Sequence, residues 1–152
     1  MDGITEVPVP YNEPVKSYAP GTPERESLQK RIAELEAEPI ELTQTIGGEQ
    51  RMAGGERFDV VQPHDHQHVL GTAAQATNED VADAVQAAKD AAADWAATPF
   101  DERAAVLLRA ADLLAGPWRD TINAATILGQ SKSVQQAEID AACEFIDFLR
   151  FN

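Results

Sequence analysis

The last stretch of the chain, residues 133–152, has the pattern of a helix with apolar residues on more than one face. Ser133 followed three positions later by Gln136 is typical of a capping box, which predicts that the helix begins here. One apolar set recurs at helical spacing and a second continues round to other faces: Val134, Ala137, Ala141, Phe145, Phe148 and Leu149, then Ile139, Ala142, Ile146 and Phe151. Such a helix needs packing neighbours on several sides.

The same helix carries no stop signal. The apolar pattern runs to Phe151 and Asn152 with no glycine or proline after it, whereas helices commonly end at a glycine or shortly before a proline. We therefore expect the sequence to be the amino-terminal part of a longer polypeptide.

Composition limits the possible partners. The chain has 152 residues, of which 43% are hydrophobic, so it can build one core. Its 26 acidic and 12 basic side chains give a formal net charge of -14, which disfavours nucleic acid and anionic membrane surfaces as partners. No apolar run approaches the ~20 residues needed to span a bilayer.

Cysteine content and the first residues indicate a compartment. Cys143 is the single cysteine, so an internal disulfide is impossible, and no Cys/His spacing of a zinc site occurs. Asp2, Glu6 and Glu13 precede every basic residue, unlike a secretory signal or an arginine-rich transit peptide. These features predict a reducing compartment, the cytoplasm.

The first half of the chain divides into three segments. Residues 1–21 are rich in proline and are expected to form an extended arm over a larger body. Thr22 followed by Pro23 is typical of a helix start and predicts a helix over 22–38. Residues 39–75 alternate in polarity and predict a short antiparallel β-hairpin region.

The remaining segment, residues 76–152, is predicted to be a layer of four helices. Their boundaries fall at capping residues, prolines and glycines: Thr77, Thr98 with Pro99, Gly116 with Pro117, and Ser133. In the second of these helices a core-facing stripe is expected, made of Phe100, Ala104, Leu107, Leu108, Ala111, Leu114 and Ala115. The predicted fold class is therefore α+β.

Three histidines alternate at His64, His66 and His68, which on a strand would place three imidazoles on one face as possible metal ligands. Metal ligands usually come from separate elements with an outer shell that orients them, and this triplet follows Pro63 in an expected surface turn. We therefore predict a solvated turn and no metal site.

Other candidate groups are interpreted as structural. Cys143 lies mid-helix beside a carboxylate, a setting that disfavours the thiolate a nucleophile needs. The Gly47–Gly48 and Gly54–Gly55 pairs lack the GxGxxG arrangement of a dinucleotide site and are interpreted as hairpin turns. Solvent or inter-helix pairs are predicted for Asp140, Asp147 and Arg150, and Glu138 is interpreted as complementing the helix dipole.

Several short motifs keep their order and spacing along the chain, at residues 12–15, 21–25, 45–48, 61–64, 103–105, 110–117 and in the closing helix. Together they resemble the amino-terminal portion of the 1-pyrroline-5-carboxylate dehydrogenases, also called L-glutamate γ-semialdehyde dehydrogenases, of the aldehyde dehydrogenase superfamily. The resemblance implies part of an α/β aldehyde dehydrogenase fold, with residues 76–152 forming a helical layer of an incomplete NAD-binding domain.

The resemblance also implies chemistry. The family oxidises a small-molecule aldehyde in proline degradation, using a cysteine nucleophile and NAD. The family's catalytic cysteine lies in a later segment, so no catalytic or cofactor-binding residue is expected in this chain, which alone is expected to be inactive. The full-length enzyme is expected to be a homo-oligomer.

Glu144 is the one candidate substrate-binding residue. A carboxylate in so apolar a segment must reach water or meet a cation. By resemblance it occupies the position of the family's glutamate that faces the aldehyde site, where it would pair with the substrate's α-ammonium group. The alternative is a surface carboxylate paired with lysine or arginine.

Two alternative functions stay open. The chain could be a non-catalytic helical interaction module derived from an aldehyde dehydrogenase. It could also be part of a different aldehyde dehydrogenase, or of a bifunctional proline-degrading protein. Reading the coding frame past Asn152 would separate the enzyme from the module.

Overall fold

The computed structural model describes residues 6–152, in the order helix, strands, helices. The first helix and the strands are α1 (Pro23–Ala37), β1 (Ile40–Glu41), β2 (Gln44–Ile46), β3 (Glu49–Arg51), β4 (Arg57–Gln62) and β5 (Asp65–Ala74). The helical part comprises α2 (Asn78–Ala97), α3 (Phe100–Ala115), α4 (Arg119–Gln130), α5 (Val134–Ala137), a π-helical segment (Glu138–Cys143) and α6 (Glu144–Phe151). The molecule is α+β, as predicted.

The strand region contains two small sheets rather than one hairpin. β2 and β3 pair antiparallel, and the turn between them has positive φ at Gly47 (59°) and Gly48 (85°), the conformation of a tight two-residue hairpin. β4 and β5 form a second antiparallel hairpin, but β1 pairs with β5 in parallel. The expectation of purely antiparallel strands is therefore wrong for β1, which reaches β5 from the end of α1.

The second glycine pair is not a hairpin turn. Gly54 and Gly55 lie between β3 and β4, which belong to different sheets. The N–H of Gly54 donates to the carboxylate of Asp80 at 2.9 Å, and the N–H of Gly55 donates to the carbonyl of Gln75 at 3.0 Å. The pair connects the sheets to the start of α2.

Two apolar clusters hold the helices together. In the first, Tyr18 from the arm and Leu28 of α1 pack on Ala124 of α4. In the second, Ala111 of α3 packs on Ala142 and Ile146 in the closing segment. α4 lies between the clusters and contributes side chains to both, so it is the central helix of the layer.

Much of the predicted α3 stripe is not covered within the described chain. Ala111 is fully buried, but Phe100 is 55% exposed and Leu107 is 37% exposed. An apolar groove of about 610 Å³ is lined by Phe100 and Leu107 together with Trp95 and Leu149. The helical pattern correctly predicted the face, but described residues cover only its carboxyl-terminal half.

The closing helix differs from the prediction in one respect. It begins at the Ser133 and Gln136 capping box as expected, but it is not one regular α-helix, because the π-helical segment separates α5 from α6. Ile146 is fully buried against α3, whereas Phe145, Phe148 and Phe151 are 46–62% exposed. Within the described residues, α6 packs Ile146 and Leu149 into the second cluster and leaves these three phenylalanines largely uncovered.

Candidate functional site

Glu144 is the first residue of α6 and is exposed. It lies in an open pocket of about 360 Å³, whose other lining residues are Asn12, Asp147, Phe148 and Phe151. Among residues 6–152, its carboxylate has no hydrogen-bond or ion-pair partner. The alternative of a surface carboxylate paired with lysine or arginine is therefore not what this structure contains, and the substrate-binding role stays a prediction.

Both oxygens of the neighbouring Asp147 carboxylate accept hydrogen bonds from the arm. One of its oxygens accepts the side-chain amide of Asn12 at 2.7 Å, and the other accepts the backbone N–H of Glu13 at 2.7 Å. The arm therefore forms one wall of the pocket, and α6 forms the opposite wall. Of the two carboxylates in the pocket, Glu144 is the one left available for a cation.

A buried ion cluster lies behind the pocket. Glu138 is fully buried, Arg119 is 1% exposed, and Arg119 forms ion pairs with the carboxylates of both Glu138 and Glu13. Glu13 also pairs with Arg150 at 2.7 Å. The earlier interpretation of Glu138 as a residue that complements the helix dipole is wrong, because its side chain points away from solvent into this cluster.

Further donors complete the environment of Glu138. Its oxygens accept the hydroxyl of Tyr18 at 2.9 Å, the side-chain amide of Asn123 at 2.8 Å and the backbone N–H of Lys16 at 2.7 Å. A buried charge is tolerated only when it is paired and hydrogen-bonded, and this carboxylate meets both conditions. The arm, α4 and the π-helical segment therefore meet at one side chain.

The cluster shifts the pKa values of its members. Burial alone would raise the pKa of Glu138, but the hydrogen bonds from Arg119, Lys16, Asn123 and Tyr18 outweigh it and hold that pKa below the ordinary value. The pKa of Tyr18 is raised, mainly by burial and to a smaller extent by its hydrogen bond to Glu138. The cluster therefore keeps Glu138 as the anion and Tyr18 as the neutral phenol.

Cys143 is buried at the edge of this cluster, 5% exposed, with its Sγ 3.4 Å from the guanidinium of Arg119. Burial, with a further contribution from the charge of Glu138, raises the pKa of its thiol to about 11. A thiol that stays protonated and inaccessible is unsuited to nucleophilic attack. These properties support the structural interpretation of Cys143.

The three histidines do not converge. His64 lies in the turn before β5 and its Nδ1 is 2.7 Å from the hydroxyl of Ser131, while Nε2 of His68 is 3.2 Å from the carbonyl of Glu36. His66 is on β5 and exposed. No group of three or more histidine, cysteine or acidic side chains in the described part of the chain could hold a metal ion.

Asp140, Asp147 and Arg150 pair with residues in the turn before α5 or in the arm, so the inter-helix partners predicted as one alternative do not occur within the described residues. Asp140 pairs with Lys132 at 2.8 Å, and Asp147 and Arg150 both contact the arm. In the region 6–152, no parallel strand leads through a glycine-rich turn into a helix, the arrangement of a dinucleotide-binding βαβ unit. Nor does any helix of that region have the length and apolar character to cross a membrane.

Comparison with known proteins identifies the class to which this arrangement belongs. Residues 50–152, most of the chain, match the aldehyde dehydrogenase family. The chain belongs to the aldehyde dehydrogenase family.

Individual relatives are more specific. The chain is 42% identical over 147 residues to the delta-1-pyrroline-5-carboxylate dehydrogenase of Agaricus bisporus, and it is 40% identical over 141 residues to the human mitochondrial enzyme of that name. These alignments cover 96% and 93% of this chain but only 27% and 25% of the relatives. The chain thus spans about a quarter of the length of these relatives.

A solved structure is similar in both sequence and shape. The delta-pyrroline-5-carboxylate dehydrogenase of Mycobacterium tuberculosis superposes with a TM-score of 0.96 at 66% identity, over 99% of this chain and 28% of that one. A second structure of the same enzyme contains bound NAD. The resemblance read from the short motifs is confirmed.

The buried cluster was not predicted from the sequence. Glu138 and Arg119 are nineteen positions apart and on different elements, and a helical pattern alone predicts neither a buried ion pair nor a π-helical turn.

Proposed function

We propose that this chain is the amino-terminal part of an NAD-dependent dehydrogenase that oxidises L-glutamate γ-semialdehyde, formed from 1-pyrroline-5-carboxylate, to L-glutamate in proline degradation. The support is family membership together with the identity to enzymes that carry this name. The observation that carries the substrate assignment is the unpaired Glu144 carboxylate in a pocket whose other acid, Asp147, is occupied by the arm.

The chemistry of Glu144 fits this substrate. L-glutamate γ-semialdehyde carries an α-ammonium group, and a carboxylate that lines its path can form a charge-assisted hydrogen bond with it. An aliphatic aldehyde of similar reactivity, such as propanal, lacks the ammonium group. Glu144 would therefore contribute to binding the first aldehyde and not the second.

We further infer that the 152-residue chain alone does not oxidise aldehydes. Its single cysteine is buried with a pKa of about 11, and we place the NAD contacts of the full-length enzyme outside residues 6–152. A cytoplasmic location and a homo-oligomeric assembly are also part of this proposal; fractionation of cells and light scattering of the full-length enzyme would check them.

A chimeric enzyme provides the test. In it, residues 1–152 replace the corresponding segment of the Mycobacterium tuberculosis enzyme, to which the chain is 66% identical. We expect the chimeric enzyme to oxidise L-glutamate γ-semialdehyde with NAD. A folded chimera that reduces NAD with neither this substrate nor propanal would reject the proposal.

Substitution of Glu144 tests the substrate contact. We expect Glu144→Ala to lower kcat/KM for the semialdehyde by about tenfold or more, since a hydrogen bond to a charged group contributes ~1.5–3 kcal/mol, and to leave propanal unchanged. Glu144→Gln, which removes only the charge, should act in the same direction. Asp112→Asn is the matched control, because Asp112 is an exposed carboxylate on α3 away from the pocket. Equal losses in kcat/KM for both aldehydes would contradict a contact between Glu144 and the substrate's ammonium group.

A further inference from the structure

The residues that precede Glu144 form a π-helix, in which each turn contains one residue more than in an α-helix. The N–H of Glu144 donates to the carbonyl of Ile139, five positions earlier, and not to the residue four positions earlier. One additional residue rotates everything that follows by about 100° about the helix axis. The π-helical turn therefore determines the direction in which Glu144 projects.

A π-helical turn is less favourable than continued α-helix and is frequent at functional sites. The structure gives it a specific support at its first residue. Glu138 is fully buried and receives donors from Arg119, Tyr18, Asn123 and the backbone of Lys16. The start of the π-helical turn is thereby fixed to α4 and to the arm.

The same cluster fixes the opposite wall of the pocket. Glu13 bridges Arg119 and Arg150, and its own N–H donates to Asp147. The adjacent Asn12 donates to the other oxygen of Asp147 and lines the pocket with Glu144. Both walls are therefore connected through one buried guanidinium, that of Arg119, which pairs with Glu138 and with Glu13.

We propose that Glu138 is a positioning residue for Glu144: through Arg119 and the arm it holds the π-helical turn and the pocket wall in the arrangement that aims the Glu144 carboxylate at the substrate's ammonium group. This inference rests on the proposed function. Glu138 itself is buried behind the pocket and contacts no substrate.

Glu138→Gln in the chimeric enzyme tests the inference, because it keeps the shape of the side chain and removes its charge. We expect KM for L-glutamate γ-semialdehyde to rise about tenfold with kcat within about twofold, and KM for propanal to stay unchanged. A purely structural role would instead lower activity toward both aldehydes in proportion to the folded enzyme.

A double-mutant cycle provides a second readout. If Glu138 acts through Glu144, then Glu138→Gln has little further effect on the semialdehyde once Glu144→Ala is present. Independent, additive losses would overturn the inference. Asp112→Asn combined with Glu138→Gln is the control pair, for which additivity is expected.

Tyr18→Phe is the milder variant in case Glu138→Gln does not fold. It removes one hydrogen bond to Glu138 and keeps the aromatic ring in the first apolar cluster. We expect a smaller rise in KM, about twofold to threefold, again only for the semialdehyde. An equal effect on both aldehydes would overturn the inference.

The outcomes separate this inference from the proposed function. If Glu144→Ala discriminates between the aldehydes and neither Glu138→Gln nor Tyr18→Phe does, the positioning role fails and the substrate contact stands. If Glu144→Ala itself does not discriminate, the substrate contact fails and the positioning role fails with it.

Discussion

The carboxylate of Asp80 accepts the backbone N–H of Gly54 at 2.9 Å, which fixes the loop after β3 to the first turn of α2. The same carboxylate accepts the N–H and the hydroxyl of Thr77, each at 2.9 Å, and the side-chain amide of Gln44 at 2.8 Å. Asp80 therefore closes the capping box of α2 and joins that helix to the β2–β3 hairpin.

This arrangement makes local stability depend on pH. The backbone N–H of Thr77, followed by that of Gly54, holds the pKa of Asp80 well below its ordinary value. Because the pKa is lower in the folded than in the unfolded state, the stabilisation is complete above the unfolded value of about 3.9 and is lost as pH falls below it. We expect Asp80→Asn to increase amide hydrogen exchange in β2, β3 and the first turn of α2 at pH 6, relative to the parent chimeric enzyme.

The difference in amide hydrogen exchange between the Asp80→Asn variant and the parent chimeric enzyme should become smaller at lower pH. Protection factors corrected for intrinsic exchange rates should approach each other below about pH 4, where Asp80 begins to protonate in the unfolded state. A difference that stays constant down to pH 3 would contradict the linkage to Asp80.

Gly71 is required by the close approach of β1 to β5. A Cβ at this position would lie 2.3 Å from the carbonyl oxygen of Ile40, a backbone atom that cannot move without breaking the parallel pairing. We expect Gly71→Ala to destabilise the protein by ~1–3 kcal/mol, the usual cost of overpacking, and to increase exchange at the N–H of Leu42. Thermal melting and hydrogen exchange of the chimeric enzyme measure these effects.

Gly129 provides the matched control for this substitution. It lies in α4, and a Cβ there would meet no atom within 4 Å. Alanine is favoured over glycine within a helix by ~0.8–1 kcal/mol, so Gly129→Ala should leave stability unchanged or raise it. A similar loss for both variants would indicate that crowding at Ile40 is not the cause.

The sequence predicted the parts of the fold that depend on local chemistry. The starts of α2 and α5 were found because Thr77 and Ser133 each meet an acceptor three residues later, and both capping boxes are present. Gly47 and Gly48 marked a true turn because both adopt positive φ. These features depend on residues close together in the chain, where spacing alone carries the information.

Features built from distant residues were not predictable in the same way. The parallel pairing of β1 brings Ile40 to Gly71, and a two-residue strand is too short to have a period. Glu138 was misread because its partners lie on the arm and on α4, far away in sequence. The substrate-binding role of Glu144 was inferred from a family resemblance, since a single exposed carboxylate leaves no recognisable pattern in the sequence.

Cys143 should be unreactive in the folded protein. Burial raises the pKa of its thiol from 9.0 to about 11, which lowers the thiolate fraction at neutral pH about 100-fold, one factor of ten per pKa unit. We expect iodoacetamide to modify Cys143 far more slowly in the native chimeric enzyme than in urea, as followed by mass spectrometry of the peptide that contains it. Rapid native labelling of that peptide would disprove the structural interpretation.

The arm is held to α6 by a contact that distinguishes arginine from lysine. The guanidinium of Arg150 stacks on the ring of Tyr11 at 4.2 Å from the centroid and pairs with Glu13 at 2.7 Å. Lysine keeps the charge but loses the planar stacking surface. A cation–π contact contributes ~0.5–1 kcal/mol at exposed sites and about 2 kcal/mol when the cation is desolvated, and the side chain of Arg150 is only 7% exposed. We therefore expect Arg150→Lys to increase hydrogen exchange and proteolytic cleavage across residues 6–19. Arg57→Lys is the control. Arg57 pairs with Glu41 at 3.4 Å, the two side chains are 60% and 66% exposed, and such exposed pairs contribute little to stability. If the arm is equally protected from exchange and cleavage in both variants, the stacking of Arg150 on Tyr11 does not hold it.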